Sequence, residues 1–273
     1  MSALPSSLLL VGAGKMGTAM LDGWLALGLD PKHITCIDPG LTDEPREALA
    51  AKGVNLVASP ADLTPPPVLV LAIKPQMLDS AAQSLASVAG PATLLISILA
   101  GKTIADLRAR FPSAGAVVRA MPNTPAAVGR GVTAAVCGPK VSERQRATAD
   151  ALLGAVGRLE WLDDESLIDA VTAVSGSGPA YVFHLVEALA AAGAAAGLPS
   201  PLAMRLARAT VEGAGELLYR SPQDAATLRQ NVTSPAGTTA AALDVLMDET
   251  RGLPPLMREA VAAAKRRAVE LSG

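Results

Sequence analysis

A hydroxyl-rich stretch near the C-terminus has the residue types of an anion-binding site. Residues 231–243 read NVTSPAGTTAAAL, so small hydroxyl residues and glycine stand immediately before an alanine-rich helical pattern. This order is typical of a helix N-terminus, where the first backbone N–H groups lack intrahelical partners and the helix dipole adds about half a positive charge. Such a terminus can hold a carboxylate or phosphate without Lys or Arg. The alternative is an ordinary capped helix, which is the commoner use of these residues.

A glycine motif near the N-terminus predicts a second anion-binding site. An apolar run at residues 8–11 is followed directly by Gly12-Ala13-Gly14-Lys15-Met16-Gly17, then by a helical pattern and a second apolar run that ends at Asp38. Between a strand and a helix, such glycines let the backbone approach a pyrophosphate, and an acidic residue about 20 positions on accepts hydrogen bonds from the ribose. We therefore predict that these residues bind a dinucleotide. The alternative is that the glycines only form a tight strand-to-helix turn.

The elements that would position this motif alternate through the first half of the chain. Short runs that each predict a strand, most of them apolar, continue with helical patterns between most of them. They lie at residues 34–37, 54–57, 68–73, 93–97, 116–118 and 132–137, and residues 158–161 are predicted as the last strand of this half. The alternation predicts a doubly wound α/β sheet of the Rossmann type. Ligands bind such sheets outside the carboxyl ends of the strands. The turns there are candidate cofactor contacts, although any one could be a plain loop: Ala72-Ile73-Lys74-Pro75, Ala100 and residues 121–125.

The sequence changes character after Leu162. From Asp163 onward, helical patterns rich in Ala and Leu follow one another with no further strand of any length. We predict a dinucleotide-binding domain at residues 1–162 and an all-helical substrate-binding and dimerisation domain at residues 163–273. Residues 179–196 carry small side chains on nearly every face, which suits a helix enclosed by other helices. Because a domain this small closes poorly on its own, we expect dimerisation through that helix.

Composition narrows the expected partners to small molecules. The chain has 273 residues, 50% of them hydrophobic and 18% charged, with a net charge of −2 and no long basic run. Nucleic acids and anionic membranes demand clustered Lys and Arg, so we expect neither as a partner. Cys36 and Cys137 lie in apolar runs without metal-ligand spacing to His33 or His184, which predicts buried thiols and no metal site. Since no signal segment or membrane span is apparent at the N-terminus, we expect a cytoplasmic location, where thiols stay reduced.

Several motifs together resemble one family. Residues 173–181 read AVSGSGPAY, and together with residues 231–243, the glycine motif, residues 72–76 and residues 119–131 they resemble pyrroline-5-carboxylate reductase, in the family's order and over nearly the full chain. The resemblance implies NAD(P)H-dependent reduction of a cyclic imine that bears a carboxylate, the last step of proline synthesis. It also implies a homodimer, or a ring of dimers, with helices interwoven across the interface.

The resemblance also implies roles for particular residues. Ser234, Thr238 and Thr239 would form the substrate loop, with backbone N–H groups holding the carboxylate and the Thr239 hydroxyl facing the ring nitrogen. Glu165 would offset the iminium charge, and its alternative role is only to favour the dipole of its own helix. Asn231 would touch the cofactor.

The expected chemistry needs few catalytic groups. A cyclic imine is electrophilic once it is protonated, so no covalent nucleophile is needed and no catalytic triad is expected. The task of the protein is to place the ring carbon against the nicotinamide. Thr239 is therefore the one candidate catalytic residue.

The acidic residue after the second predicted strand and the family resemblance lead to different expectations for the preference between NADPH and NADH. Asp38 stands where an acidic side chain accepts hydrogen bonds from the ribose of NADH and repels the extra phosphate of NADPH, so NADH is expected to serve at least as well. The family often uses NADPH, and the alternative is that Pro39-Gly40 turns Asp38 away and frees the amides of that turn for the phosphate. The chain also departs from the family at Ser59-Pro60, where an Asn near the adenine ribose is usual.

Two other functions stay open at this point. A β-hydroxyacid dehydrogenase also has a Rossmann domain followed by helices, but that class resembles a glycine-rich helix with a catalytic Lys, and residues 176–198 contain no Lys. A non-catalytic NAD(P)-sensing protein would keep the fold with a substituted substrate loop, whereas Ser234 and Thr239 are both present.

Overall fold

An eight-stranded, mostly parallel sheet lies in the first of two units of the chain. The structure is a computed structural model that describes residues 4–272. The first unit contains the residues up to Gly176 and those from Lys265 on, and the second contains Ser177–Ala264. The units divide after Gly176, so the domain boundary predicted after residue 162 stays a prediction.

The sheet runs outward from its first strand in both directions. Its strands are β1 (Leu8–Val11), β2 (Ile34–Ile37), β3 (Asn55–Leu56), β4 (Val68–Leu71), β5 (Leu94–Ser97), β6 (Ala116–Met121), β7 (Gly131–Cys137) and β8 (Gly157–Trp161). Their order is β3-β2-β1-β4-β5-β6-β7-β8, and every neighbouring pair is parallel except β6 with β7. This order confirms the predicted doubly wound sheet. Of the strand predicted at 54–57, only Asn55–Leu56 pairs.

The central strands are buried on both faces, which explains their continuous apolar runs. In β1, Leu8 and Leu10 belong to one hydrophobic cluster, and Leu9 and Val11 belong to the other. The first cluster includes side chains of α1 (Lys15–Ala26), α2 (Asp43–Ala51) and α5 (Glu143–Gly154), and the second those of α3 (Leu78–Leu85), α4 (Ile104–Arg110) and α6 (Ile168–Val171). Helices therefore cover both faces of the sheet.

A π-helical turn follows α6 at Thr172–Gly176. It contains the start of the Ser-Gly-Ser-Gly sequence at residues 175–178, which is part of the motif at residues 173–181. A π-helical turn is wider than an α-helix and is frequent at functional sites. The turn ends at the residue after which the second unit begins.

The second unit is built from helices throughout its described residues. They are α7 (Gly178–Ala195), α8 (Ser200–Arg220), α9 (Ala225–Asn231), α10 (Thr238–Leu246) and the first part of α11 (Leu253–Ser272). Small residues let α7 and α8 approach closely, since a Cβ built on Gly193 would lie 3.3 Å from the Cβ of Ala203. The small-residue face of α7 therefore packs, at Gly193, against a helix of the same chain.

This unit also exposes many large apolar side chains. Its buried apolar residues include only small ones such as Ala190, Ala203 and Ala207, whereas exposed ones include Val182, Phe183, Leu185, Leu189, Leu217, Leu218, Val245, Leu246 and Leu256. Exposed apolar surface of this extent is typical of a protein–protein interface.

Candidate cofactor and substrate sites

The glycine motif forms a loop at the carboxyl edge of the parallel strands, and its first and third glycines are required by geometry. Gly12 has a φ of +95°, which favours glycine, and a Cβ built on it would lie 2.6 Å from the carbonyl oxygen of Ala72. A Cβ on Gly17 would collide with the carbonyl of Gly12. By contrast, no described atom beyond its chain neighbours lies within 4 Å of a Cβ built on Gly14, the residue before α1. The loop therefore leaves open space at Gly14, where a pyrophosphate is predicted to bind.

Asp38 contacts this loop directly. One carboxylate oxygen accepts the N–H of Ala13 at 2.8 Å, and the other accepts the N–H of Gly40 at 2.9 Å. The carbonyl of Ala13 in turn accepts the hydroxyl of Thr18 at 2.9 Å. Ala13 is thus held on both sides, an arrangement that the motif alone did not predict.

A cavity of about 440 Å³ lies between α4 and the ends of β7 and β8, and its lining includes Glu165, the predicted counter-charge for the iminium. A second cavity, of about 320 Å³, lies at the carboxyl ends of β1 and β2. Its lining is mostly apolar with some hydroxyl groups and includes Val11, Ile37, Pro39, Ser59, Pro60 and Ile73. The volume and lining suit the adenosine half of a dinucleotide. Ser59-Pro60, where the chain departs from the family, therefore lines the cavity best suited to adenosine.

The predicted cofactor contacts after β4 and β5 follow parallel neighbours of β1. The N–H of Ala72 donates to Val11 at 2.7 Å, which continues the pairing of β4 with β1. Lys74 precedes a 3-10 helical turn that begins at Pro75, and Ala100 lies between β5 and α4. The structure thus brings Ala72, Ile73, Lys74, Pro75 and Ala100 to the edge that carries the glycine loop, while their contact with a cofactor stays a prediction.

Glu165 is engaged with two groups of the first unit. Its Oε1 accepts the N–H of Ile104, the first residue of α4, at 2.8 Å, and an N–H of Arg119 at 2.9 Å. The Arg119 side chain is 4% exposed, and its Nη2 is buried without a hydrogen-bond partner among the described residues. The Glu165 carboxylate therefore balances a buried cation and stabilises the N-terminus of α4, rather than that of its own helix. Its predicted role beside the iminium stays a prediction.

Asn123 is a polar residue in the turn at residues 121–125, which the sequence predicts as a candidate cofactor contact. Its amide N–H donates to the carbonyl of Ser175 at 3.0 Å, and its amide oxygen accepts the N–H of Val132 at 2.9 Å. The side chain is buried and joins the turn after β6 to the π-helical turn. The only signal in the sequence was its position in a proline-bearing turn after a strand.

The substrate loop predicted from the sequence lies in the second unit and ends at a helix N-terminus. Gly237 precedes α10, whose first two residues are Thr238 and Thr239, and no side chain caps this helix. The N–H of Gly237 donates to the carbonyl of Ser234 at 3.1 Å, and a Cβ on Gly237 would collide with the Ser234 hydroxyl. Because its N-cap residue is a glycine, the first N–H groups of α10 have no cap from that residue and are open to an anion, while anion binding here stays a prediction. Asn231 ends α9 and donates to Gln223 at 3.1 Å.

The described residues hold neither a metal-ligand cluster nor a membrane span. Within residues 4–272, no group of three or more His, Cys, Asp or Glu side chains is arranged to hold a metal ion. In the same range no helix has both the length and the apolar character needed to cross a membrane. Cys36 is buried and Cys137 half-buried, and both are free thiols.

Comparison with known proteins gives consistent matches over both parts of the chain. A family model described as pyrroline-5-carboxylate reductase dimerisation matches residues 165–271. A second, described as NADP oxidoreductase coenzyme F420-dependent, matches residues 7–101. The pyrroline-5-carboxylate reductase of Pseudomonas aeruginosa is 40% identical over 264 residues, which cover 96% of this chain and 95% of that protein.

Solved structures agree with these matches. A pyrroline-5-carboxylate reductase from Coxiella burnetii superposes with a TM-score of 0.90 at 33% identity, covering 98% of this chain and 99% of that one. The Plasmodium falciparum enzyme, solved with NADP bound, superposes with a TM-score of 0.79 at 27% identity, covering 98% of both chains. The chain therefore belongs to the pyrroline-5-carboxylate reductase family, NAD(P)-dependent oxidoreductases that act on a C=N bond.

Proposed function

We propose that this protein reduces 1-pyrroline-5-carboxylate to L-proline with NADPH or NADH, the last step of proline biosynthesis. Membership of the family over nearly the full chain supports the reaction. The observation that carries the assignment of the substrate site is the N-terminus of α10, which no side chain caps and which follows the serine and threonine residues of the substrate loop.

The cofactor is assigned to the first unit. The glycine loop, residues 12–17, takes the pyrophosphate beside the open space at Gly14, and the cavity lined by Val11, Ile37 and Ser59 takes the adenosine half. The turns at residues 72–75 and at Ala100 follow strands at the same edge and are further contacts to the cofactor. Asn231 is a predicted contact of the second unit. When bound, the reduced nicotinamide supplies the hydride.

The substrate carboxylate is assigned to the first turn of α10. Backbone N–H groups at Thr238 and Thr239 point out of a helix N-terminus and carry partial positive charge, so they suit a carboxylate. Ser234 lies against this terminus, and the hydroxyl of Thr239 hydrogen-bonds the ring nitrogen. The protonated imine accepts the hydride on its ring carbon. The electron pair of the hydride forms the new C–H bond, and the π pair of the C=N bond becomes the lone pair of the neutral amine nitrogen. Glu165 is kept as the predicted counter-charge for the iminium.

The contact between subunits is assigned to the exposed apolar side chains of the second unit. They lie within the part of the chain that matches the dimerisation model, which supports a homodimer. A ring of such dimers is the larger assembly implied by the family. The two free thiols support a reducing compartment, and we place the protein in the cytoplasm.

The reaction is tested with purified protein, NADPH or NADH, and 1-pyrroline-5-carboxylate. Absorbance of the reduced nicotinamide should fall only when the cyclic imine is present. The keto forms of 3-hydroxyacids, the substrates of the rival dehydrogenase class, should give no reaction. Turnover with the keto acids and not with the imine would reject the proposal.

A further inference from the structure

Two side chains from different elements hold the same residue of the glycine loop, Ala13, one at each of its two peptide groups. Asp38, which follows β2, accepts the N–H of Ala13, and Thr18, in the first turns of α1, donates its hydroxyl to the carbonyl of Ala13. Ala13 itself is 6% exposed. A buried peptide group that loses such a partner has no water to replace it. The position of the loop therefore depends on both side chains.

The Asp38 carboxylate is occupied by the main chain on both oxygens. Oδ2 accepts from Ala13, and Oδ1 accepts from Gly40 in the turn that follows β2. These two bonds fix the rotamer of Asp38 towards the glycine loop. They also use the Gly40 amide, which the sequence left open as a phosphate ligand for NADPH. This geometry does not match the alternative considered from the sequence in which Asp38 is turned away and the amides of the turn are free.

We infer that Asp38 is a positioning residue for the glycine loop, paired with Thr18 across Ala13, and does not choose between NADH and NADPH. The N–H of Ala13 is used by Asp38, so the pyrophosphate must take its hydrogen bonds from the amides that follow, at the start of α1. Asp38 and Thr18 place those amides by holding the residue before them. Because both cofactors contain the same pyrophosphate, the loss of either side chain weakens both cofactors alike.

The experiment measures dissociation constants of NADH and NADPH by nicotinamide fluorescence, without substrate, for Asp38→Ala, Thr18→Val and Thr18→Ser. Loss of a buried hydrogen bond from the loop should weaken both cofactors by roughly tenfold in Asp38→Ala and by somewhat less in Thr18→Val. In both variants the ratio of the NADH and NADPH dissociation constants should stay within about threefold of the wild-type ratio. Thr18→Ser keeps the hydroxyl and should bind both cofactors with wild-type affinity. Since both residues hold Ala13, the loss of affinity in the double variant should be smaller than the product of the two single losses.

Asp43→Asn is the matched control for charge. Asp43 is an exposed acid in the first turn of α2, close in sequence to Asp38, and has no bond to the glycine loop. Its substitution should leave both dissociation constants unchanged. The inference rests on the proposed function in one respect, that the protein binds NADH or NADPH. Because cofactor binding is measured without the imine, a failure of the inference can be told apart from a failure of the proposed reaction.

A specific change of preference would overturn the inference. If Asp38→Ala tightens NADPH relative to NADH by about tenfold or more, the acid selects the cofactor through the ribose. Should Asp38→Ala fail to fold, Thr18→Val decides alone. Wild-type affinity for both cofactors in Thr18→Val would show that the bonds to Ala13 do not position the loop.

Discussion

At the scale of single residues, three polar side chains of the first unit each join two separate segments of the backbone or core. Asp38 joins the glycine loop to the turn after β2, and Asn123 joins the turn after β6 to the π-helical turn. Glu165 joins the start of α4 to the buried Arg119. Each holds a loop near the carboxyl edge of the sheet in one position. Pre-organised loops of this kind reduce the ordering needed when a ligand binds.

The Thr239 hydroxyl is expected to act on the reacting nitrogen, separately from the backbone N–H groups that hold the carboxylate. Thr239→Ala removes the hydroxyl and keeps the N–H, so turnover should fall roughly 10- to 1000-fold with a smaller change in substrate affinity. Thr239→Ser keeps a hydroxyl and should retain most of the activity. Steady-state kinetics with the cyclic imine measure both, and wild-type turnover in the alanine variant would reject a catalytic hydroxyl.

Glu165 is expected to show two separable effects. Glu165→Gln keeps an oxygen that can accept from Ile104 and Arg119 but removes the charge that balances Arg119, so thermal stability should fall less than in Glu165→Ala while loss of the charge lowers turnover. Glu165→Ala leaves the buried guanidinium of Arg119 uncompensated and should lower the free energy of unfolding by roughly 2–4 kcal/mol. Thermal denaturation and turnover measure the two effects. Full turnover in Glu165→Gln would show that this carboxylate has a structural role only.

At the scale of elements, the glycine loop and the π-helical turn are two places where the backbone departs from regular structure. Gly12 takes a positive φ so that the chain can cross closely over the end of β4. In the π-helical turn, the carbonyl of Ser175 accepts a hydrogen bond from the side-chain amide of Asn123. Both irregular segments are held by neighbouring polar groups, so the backbone there has defined partners.

The two glycines at the start of the loop should respond differently to a methyl group. Gly12→Ala places a Cβ against the carbonyl of Ala72 at an unfavourable φ, so the melting temperature should fall markedly. Gly14→Ala meets open space in the chain and should fold with a near-normal melting temperature, while the methyl group obstructs the pyrophosphate and raises the KM for the cofactor. Equal melting temperatures of the two variants would contradict this account of the loop.

The strands were predictable because a strand that is buried on both faces of a sheet has a continuous run of apolar residues. All eight strands were anticipated, although β3, β4 and β5 are shorter than the runs predicted for them and β6 is longer. The bonds made by the polar residues were not predictable. Asp38 lies 25 residues from Ala13, Asn123 lies 52 from Ser175, and Glu165 lies 61 from Ile104. A sequence motif states which residue types are present and leaves open which backbone groups reach them.

At the scale of the whole molecule, the two units differ in how they bury apolar surface. The first encloses two clusters of large side chains on the two faces of its sheet, whereas the second buries mainly alanines and exposes residues such as Phe183 and Leu217. The small-residue pattern of α7 correctly indicated close helix packing, but at Gly193 that packing is against α8 of the same chain. The large exposed side chains are therefore better candidates for the contact between subunits.

A charge on this exposed surface should break the homodimer. Phe183 is 64% exposed, and Phe183→Glu would place a carboxylate in an apolar interface, which strongly disfavours association. Leu27→Glu makes the same kind of change at a 50% exposed residue of the first unit and should leave the assembly intact. Light scattering should find a smaller species only for Phe183→Glu. An unchanged mass for that variant would place the interface elsewhere.

The central claim is that hydride passes from the nicotinamide to the imine carbon of 1-pyrroline-5-carboxylate. NADPH or NADH deuterated at the transferable position of the nicotinamide tests it directly, with mass spectrometry of the product. We expect L-proline with one deuterium on the ring carbon that formed the double bond, at a rate equal to cofactor oxidation. Cofactor oxidation without deuterated proline, or no oxidation with either cofactor, would contradict the account.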